Sequence, residues 1–206
     1  MASIAAQTRS RQPATWQAYV LPLVAVIGAP MMLFESILNG FRQVEPDQFG
    51  GLLSLLYIVG WTSSIAGLIR LEATGRGVVG RTILRLQLVG LMLAAAWSLI
   101  IIANPDADKG SLIYQVTDTA WPLSHVFMIV VGIATLIARR LPTWQRVGPL
   151  LCGFVLPGSI IVGRLGSGLA GALVFGVGGT AAFLLLSYVC ERRRKNGTDV
   201  GIKVGQ

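Results

Sequence analysis

Apolar residues occur in six long runs along the chain, and short polar or charged segments separate these runs. Each run contains roughly 16–23 residues, near the ~20 that an α-helix needs to cross the hydrocarbon core of a bilayer. We therefore predict an all-α integral membrane protein, a polytopic bundle of six transmembrane helices over about residues 16–38, 51–71, 82–103, 120–138, 147–162 and 168–189. The polar residues 1–15 and 191–206 are predicted to flank the bundle.

The fourth run is bounded at both ends by residues that are typical of a membrane interface. It covers residues 117–140, TDTAWPLSHVFMIVVGIATLIARR, in which an acid and a Trp-Pro pair come first and two arginines come last. Because Trp is enriched at membrane interfaces, Trp121 predicts the outer end of this helix. His125, the only histidine of the chain, is then expected one turn inside, roughly 6 Å below the boundary.

Lysine and arginine concentrate on one side of the predicted bundle. Fourteen of the seventeen lie in the N-terminal segment, the second and fourth connections with their flanking turns, and the C-terminal tail. The other side carries only Arg42, Lys109 and Arg164. Because basic residues near span ends are retained in the cytoplasm, both termini are predicted to be cytoplasmic. The short loops favour a bacterial inner membrane.

Composition agrees with lipid as the main solvent of the chain. Hydrophobic residues make up 53% of it and charged residues 13%, whereas a soluble domain carries about 25% charged residues. The net charge of +8 comes from span ends and the tail. Since no basic face with interleaved aromatic residues is present, we exclude nucleic acid as a partner. The predicted partners are the lipid bilayer and either a second copy of the chain or another membrane protein.

The C-terminal tail contains a basic run that we predict to contact lipid head groups. Near an anionic membrane surface each basic residue contributes about 1 kcal/mol to binding. The run consists of Arg192, Arg193, Arg194 and Lys195.

Ionisable and polar aromatic residues on the outer side define a candidate polar or ligand-binding site. Charged groups inside a bilayer are costly, so each is a functional hypothesis. The candidates are His125, Glu35, Asp118, Tyr57 and Trp97. In one interpretation Glu35 and His125 form a proton-sensitive pair or bind a polar head group or a cation. In the other, His125 is neutral and bonded to a neighbouring helix while Glu35 reaches the interface.

Glycines in the sixth run leave part of its surface without side chains. Such small-residue faces allow helices to approach closely, either within a bundle or between subunits. We predict helix packing at Gly168, Gly171, Gly176, Gly178 and Gly179.

Complete catalytic and metal-binding motifs are missing from the sequence. A single histidine cannot form a multi-histidine zinc site, and HExxH is absent. Cys152 and Cys190 have no metal-like spacing and are predicted to be buried free thiols. Ser167 in Gly166-Ser167-Gly168 resembles a serine nucleophile among glycines, but helix packing explains it better. The sequence therefore implies no metal and no cofactor.

Three classes of function fit these observations. The first is a membrane protein without its own catalysis that acts as a sensor, accessory subunit or interaction module. The alternative is a small permease or a proton-coupled transporter with a polar site in the outer leaflet, because Pro157-Gly158 interrupts the fifth run as in transporter helices. The second alternative is a lipid-facing enzyme in which His125 is the general base.

Overall fold

The computed structural model describes residues 17–42 and 45–188 of the chain. The basic run Arg192–Lys195, Cys190 and the predicted flanking segments 1–15 and 191–206 lie outside the described residues. Within the described part the chain folds into helices, with no strand. The helices are α1 (Gln17–Gly28), α2 (Met31–Leu38), α3 (Gln48–Arg70), α4 (Val78–Ala103), α5 (Leu112–Ala138), a 3-10 turn (Thr143–Arg146), α6 (Val147–Leu165), α7 (Gly168–Leu173), a π-helical turn (Val174–Gly178) and a final helical segment over 179–188.

Six helical stretches are long and apolar enough to cross a membrane. Their mean hydropathy lies between 1.6 and 2.2 over the most apolar window. The stretches are Val20–Leu38, Gln48–Arg70, Val78–Ala103, Leu112–Ala138, Thr143–Leu165 and Gly168–Tyr188. The prediction of an all-helical chain with six apolar helices of this kind is confirmed.

The fourth span begins earlier than the hydropathy pattern predicts. Helix α5 starts at Leu112 rather than near Ala120, because the Ser111 hydroxyl caps it by accepting the Tyr114 N–H at 3.3 Å. The Thr117 hydroxyl donates to the Ile113 carbonyl at 2.8 Å, so this polar side chain is satisfied inside the helix. His125 consequently lies near the middle of Leu112–Ala138 and not one turn inside its end.

Consecutive spans pack against each other and close into a ring. Helix α1 packs on α3, α3 on α4, α4 on α5, α5 on α6 and α6 on α7, while α2 contacts the π-helical turn. The first two spans meet backbone to backbone, because a Cβ on Gly28 would lie 2.7 Å from the Cα of Gly60. Glu45, which precedes α3, pairs with Lys109, which precedes α5, so these two residues lie at the same end of the bundle.

The sixth span departs from regular α-helix geometry near this end of the bundle. Five residues, Val174–Gly178, form a π-helical turn between α7 and the segment 179–188. Thr180 donates to the Gly176 carbonyl at 2.7 Å, which satisfies a backbone oxygen beside the turn. Such single π turns inside α-helices frequently occur at functional sites. The turn places Phe175 towards α5, whereas Phe183 further along packs in the centre of the ring.

Candidate functional site

The single histidine of the chain is bonded to a tyrosine from another span. The Nε2 atom of His125 on α5 lies 3.1 Å from the Tyr57 hydroxyl on α3. Its Nδ1 atom lies 3.2 Å from the Trp121 carbonyl, one turn earlier on the same helix. His125 is 0% exposed and Tyr57 is 2% exposed, so this chain of hydrogen bonds is excluded from solvent.

The partners of His125 determine which ring nitrogen carries the proton. A backbone carbonyl only accepts hydrogen bonds, so Nδ1 must donate to Trp121. In a neutral imidazole Nε2 then accepts, and the Tyr57 hydroxyl is its donor. Both ring nitrogens are thereby used within the protein, which favours a structural role for His125.

Five aromatic rings surround the imidazole of His125. The ring centroids of Trp61 and Trp121 lie 4.5 and 4.6 Å from that of His125. Those of Tyr57, Phe175 and Phe183 lie 5.9 to 6.4 Å away. We call these six residues the aromatic cluster: Tyr57, Trp61, Trp121, His125, Phe175 and Phe183. It joins the second, fourth and sixth spans in the middle of the bundle.

A second feature, the polar pocket, lies at the end of the bundle that carries the acidic side chains. Its volume is about 400 Å³. Residues from α2, the following connection, α3, α4 and α5 line it. Those with polar or aromatic side chains are Glu35, Glu45, Asp47, Ser54, Trp97, Asp118 and Trp121. Among the described residues no three His, Cys, Asp or Glu side chains are placed to hold a metal ion.

Three residues that line the polar pocket carry a buried polar atom without a partner. They are Oε2 of Glu35 and the indole N–H groups of Trp97 and Trp121. Leaving such an atom unsatisfied costs about 1–3 kcal/mol, and more for a charged group. The polar pocket therefore offers a bound molecule a carboxylate oxygen and two indole N–H groups that have no hydrogen-bond partner within the described chain.

The position of Glu35 follows from a glycine at the start of α3. A Cβ on Gly50 would lie 3.1 Å from Oε1 of Glu35 and 3.0 Å from Oδ1 of Asp47. Asp47 caps α3 by accepting the Gly50 N–H at 2.6 Å. The missing side chain at position 50 thus lets two carboxyl groups lie close together at a helix N-terminus, where the helix dipole favours negative charge.

An ion pair connects the two loops at this end of the bundle. Lys109, from the connection before α5, pairs with Glu45, which lines the polar pocket. The neighbouring Glu45 carboxylate raises the pKa of Lys109 above its ordinary value. Both side chains are largely exposed, so the pair positions the loops and contributes little to stability.

The structure divides the predicted site residues into two groups. Glu35, Trp97 and Asp118 meet in the polar pocket, whereas Tyr57 and His125 meet in the aromatic cluster. The hydrogen-bond partners of the His125 ring are Tyr57 and Trp121, so neither carboxylate is bonded to it within the described chain.

Trp121 connects the two groups, and sequence reasoning treated it only as an interface anchor. It lines the polar pocket, its carbonyl accepts from His125, and its ring touches that of His125. The sequence does contain a pattern that indicates this role, because Trp121 and His125 are four residues apart and therefore lie on the same face of the helix.

Two arginines line a larger space beside the polar pocket. Arg42 and Arg164 border a cleft of about 910 Å³ between α6, α7 and the connection after α2. Trp121 and Phe175 also line this cleft. The tryptophan therefore separates a space bordered by carboxylates from one bordered by guanidinium groups.

The glycines of the sixth span differ in their surroundings. A Cβ on Gly171 would lie 2.7 Å from the Ser159 carbonyl oxygen and 2.8 Å from the Gly163 Cα. One on Gly176 would lie 3.0 Å from Leu33, and one on Gly179 would lie 3.3 Å from Val155. At Gly168 and Gly178 that position has no atom of a neighbouring described helix within 4 Å.

Comparisons of the chain with protein-family models, with curated proteins and with solved structures give no match.

Proposed function

We propose that this chain is a small integral membrane protein without its own catalysis, a sensor whose ligand is an organic cation. The ligand binds in the polar pocket, which faces the outside when the basic connections face the cytoplasm. Basic residues flank the opposite ends of the spans, at Arg70, Arg76, Arg139 and Arg140, as the cytoplasmic side of membrane proteins requires.

The lining of the polar pocket supports an organic cation as the ligand. Carboxylates from α2, α5 and the loop between α2 and α3 line one pocket together with the rings of Trp97 and Trp121. Carboxylates attract a cation, and indole rings add a cation–π contribution of about 0.5–2 kcal/mol. Because no metal-ligand cluster is present among the described residues, an ammonium group on an organic molecule fits better than a metal ion.

Trp121 supports a sensor rather than a passive binding protein. A cation that packs on the ring of Trp121 acts on a residue whose carbonyl accepts a hydrogen bond from His125 and whose ring packs on Phe175. Through these contacts the pocket is connected to the second and sixth spans. We infer that ligand binding shifts the packing of the sixth span at its π-helical turn, and that a partner membrane protein reads this shift.

Isothermal titration in lipid nanodiscs tests the proposal with 2-phenylethylammonium and its uncharged analogue 2-phenylethanol. We expect the cation to bind and the alcohol to bind much more weakly. Glu35→Gln and Asp118→Asn should each weaken cation binding about tenfold, the effect of one charge-assisted hydrogen bond. Asp106→Asn is the matched control, since Asp106 lies in a loop at the same end but does not line the pocket. Equal binding of cation and alcohol would overturn the proposal.

The proposed orientation has its own test. In a variant with Cys152 and Cys190 replaced by alanine, single cysteines at Lys109→Cys and Arg140→Cys are exposed to a membrane-impermeant maleimide in intact cells. Labelling only at position 109 is expected. Labelling only at position 140 would reverse the orientation and place the polar pocket at the cytoplasmic side.

A permease is the second candidate, and the π-helical turn beside the pocket favours it. Phe175 in this turn lines two spaces next to the polar pocket, as expected of a residue that gates access. Uptake of labelled 2-phenylethylammonium into proteoliposomes that is lost in Glu35→Gln would select the permease over the sensor. An enzyme with His125 as general base has no comparable support, because both ring nitrogens are bonded within the protein.

A further inference from the structure

A groove between α4 and α5 lies apart from the polar pocket and shares no lining residue with it. Its volume is about 740 Å³. Leu86, Leu93, Leu123 and Val126 line it, and all four are exposed on the outside of the bundle. The groove is therefore accessible from the lipid that would surround the spans.

Two polar side chains lie at the bottom of this apolar groove. Gln87 on α4 is 1% exposed and Ser124 on α5 is 3% exposed. The Gln87 amide donates from Nε2 to the Ser124 carbonyl at 3.3 Å. The other amide atom, Oε1, and the Ser124 hydroxyl are buried and have no hydrogen-bond partner.

Their depth makes the missing partners significant. By helix rise, both residues lie within about one turn of the middle of their spans. The bilayer core contains no water to satisfy such groups, so an unpaired polar atom costs several kcal/mol there. A phospholipid acyl chain is apolar at this depth and cannot supply a hydrogen bond.

A glycine keeps the two polar groups close together. A Cβ on Gly90 would lie 2.7 Å from the Ser124 hydroxyl oxygen. Any side chain at this position would therefore displace the hydroxyl or cover it. The groove thus contains a hydroxyl donor and an amide acceptor that have no partner within the described chain.

We propose that this groove binds an uncharged, lipid-soluble alcohol or phenol. The ligand hydroxyl donates to Oε1 of Gln87 and accepts from the Ser124 hydroxyl, and its apolar body lies along the exposed leucines. The volume is within the ~300–1,000 Å³ of ligand pockets. One hydroxyl group can both donate and accept, so a small alcohol satisfies the two unpartnered atoms with a single polar group.

Native mass spectrometry of the protein released from phosphatidylcholine nanodiscs tests this site, with farnesol as the probe and farnesyl methyl ether as its matched control. The ether cannot donate to Gln87, so we expect the alcohol to bind about tenfold more tightly. Gln87→Leu and Ser124→Ala should each reduce farnesol binding about tenfold. Ser98→Ala, a buried serine on α4 that bonds Ser54 outside the groove, should leave it unchanged.

Equal binding of the alcohol and the ether would overturn the proposal, as would full farnesol binding by both groove variants. A dimer that disappears in Gln87→Leu, without any farnesol adduct in the wild type, would show that the groove is an interface between copies. If Gln87→Leu fails to fold, Ser124→Ala alone decides the outcome. Glu35→Gln should retain farnesol binding, so the proposal for the groove and the proposal for the polar pocket are tested independently.

Discussion

The hydroxyl of Tyr57 and Nε2 of His125 lie 3.1 Å apart and join the second and fourth spans across the centre of the bundle. These spans are not consecutive, and helix α4 packs on both α3 and α5. The bond therefore fixes the rotation of two helices whose connection to each other is indirect. Polar side chains bonded between helices are a recurring way of specifying packing inside membranes.

Removing the tyrosine hydroxyl should destabilise the bundle by about 1 kcal/mol, because Tyr57→Phe leaves Nε2 of His125 without a donor. His125→Ala should cost more, about 2–4 kcal/mol, since it also opens a cavity among five aromatic rings. The measurement is the free energy of unfolding in mixed micelles of mild detergent and dodecyl sulfate.

Tyr114→Phe is the control for this series. Tyr114 is also buried, and its ring packs edge-on against that of Trp97, a contact that phenylalanine keeps. We expect its unfolding free energy to equal that of the wild type. A Tyr57→Phe protein as stable as this control would show that the bond to His125 contributes nothing to stability.

Two glycines of the sixth span should respond in opposite ways to alanine. Gly171→Ala places a Cβ 2.7 Å from a backbone oxygen and 2.8 Å from a backbone Cα, so the helices must separate at a cost of about 1–3 kcal/mol. At Gly178 the same change meets open space, and alanine is neutral or slightly stabilising there because glycine is a poor helix former. Equal melting temperatures of the two variants would contradict the expected difference.

The sequence predicted the helical class and the number of apolar spans, because length and hydropathy alone decide both. It misplaced the start of the fourth span, since Thr117 and Asp118 are polar and resemble a loop. In the structure these residues occupy the first turns of a helix that Ser111 caps. That error placed His125 one turn inside the helix, although it lies near the middle of α5.

Contacts between spans could not be predicted from one sequence. Hydrophobic periodicity places residues on helix faces but does not say which faces meet, so the bond between Tyr57 and His125 was only one of several arrangements. The same limitation applies to Gly28 and Gly60, whose close approach joins the first two spans. The sequence identified Glu35 and Asp118 because charged groups are costly in a membrane, and Trp97 because it is aromatic. That these residues line one pocket depends on how three helices pack, which the sequence does not show.

The ion pair between Lys109 and Glu45 gives a prediction for pH. Glu45 raises the pKa of Lys109, so the pair is complete at neutral pH and is lost as pH rises through the raised value. Glu45→Gln should lower the pKa of Lys109 towards its ordinary 10.5. Reductive methylation with ¹³C and NMR titration measure it, with the Lys195 and Lys203 resonances as internal controls. An unchanged Lys109 titration would show that the two loops are not joined.

The final prediction concerns the connection between the polar pocket and the aromatic cluster. The indole rings of Trp97 and Trp121 line the pocket, so a bound 2-phenylethylammonium ion should change their fluorescence. The change should be smaller in Trp97→Phe and in Trp121→Phe. It should be unaffected in Trp144→Phe, because Trp144 lies at the opposite end of the bundle in the turn before α6.

The Trp121 variant then separates binding from transmission. Phenylalanine at position 121 keeps an aromatic ring for the cation but replaces the larger indole that packs on His125 and Phe175. If Trp121 carries the signal, the variant should bind the cation with at most a modest loss of affinity, while hydrogen exchange at the π-helical turn no longer responds to the ligand. A variant that binds normally and still changes exchange at Val174–Gly178 would show that the signal reaches the sixth span by another route, such as Phe175 itself at the edge of the neighbouring pockets.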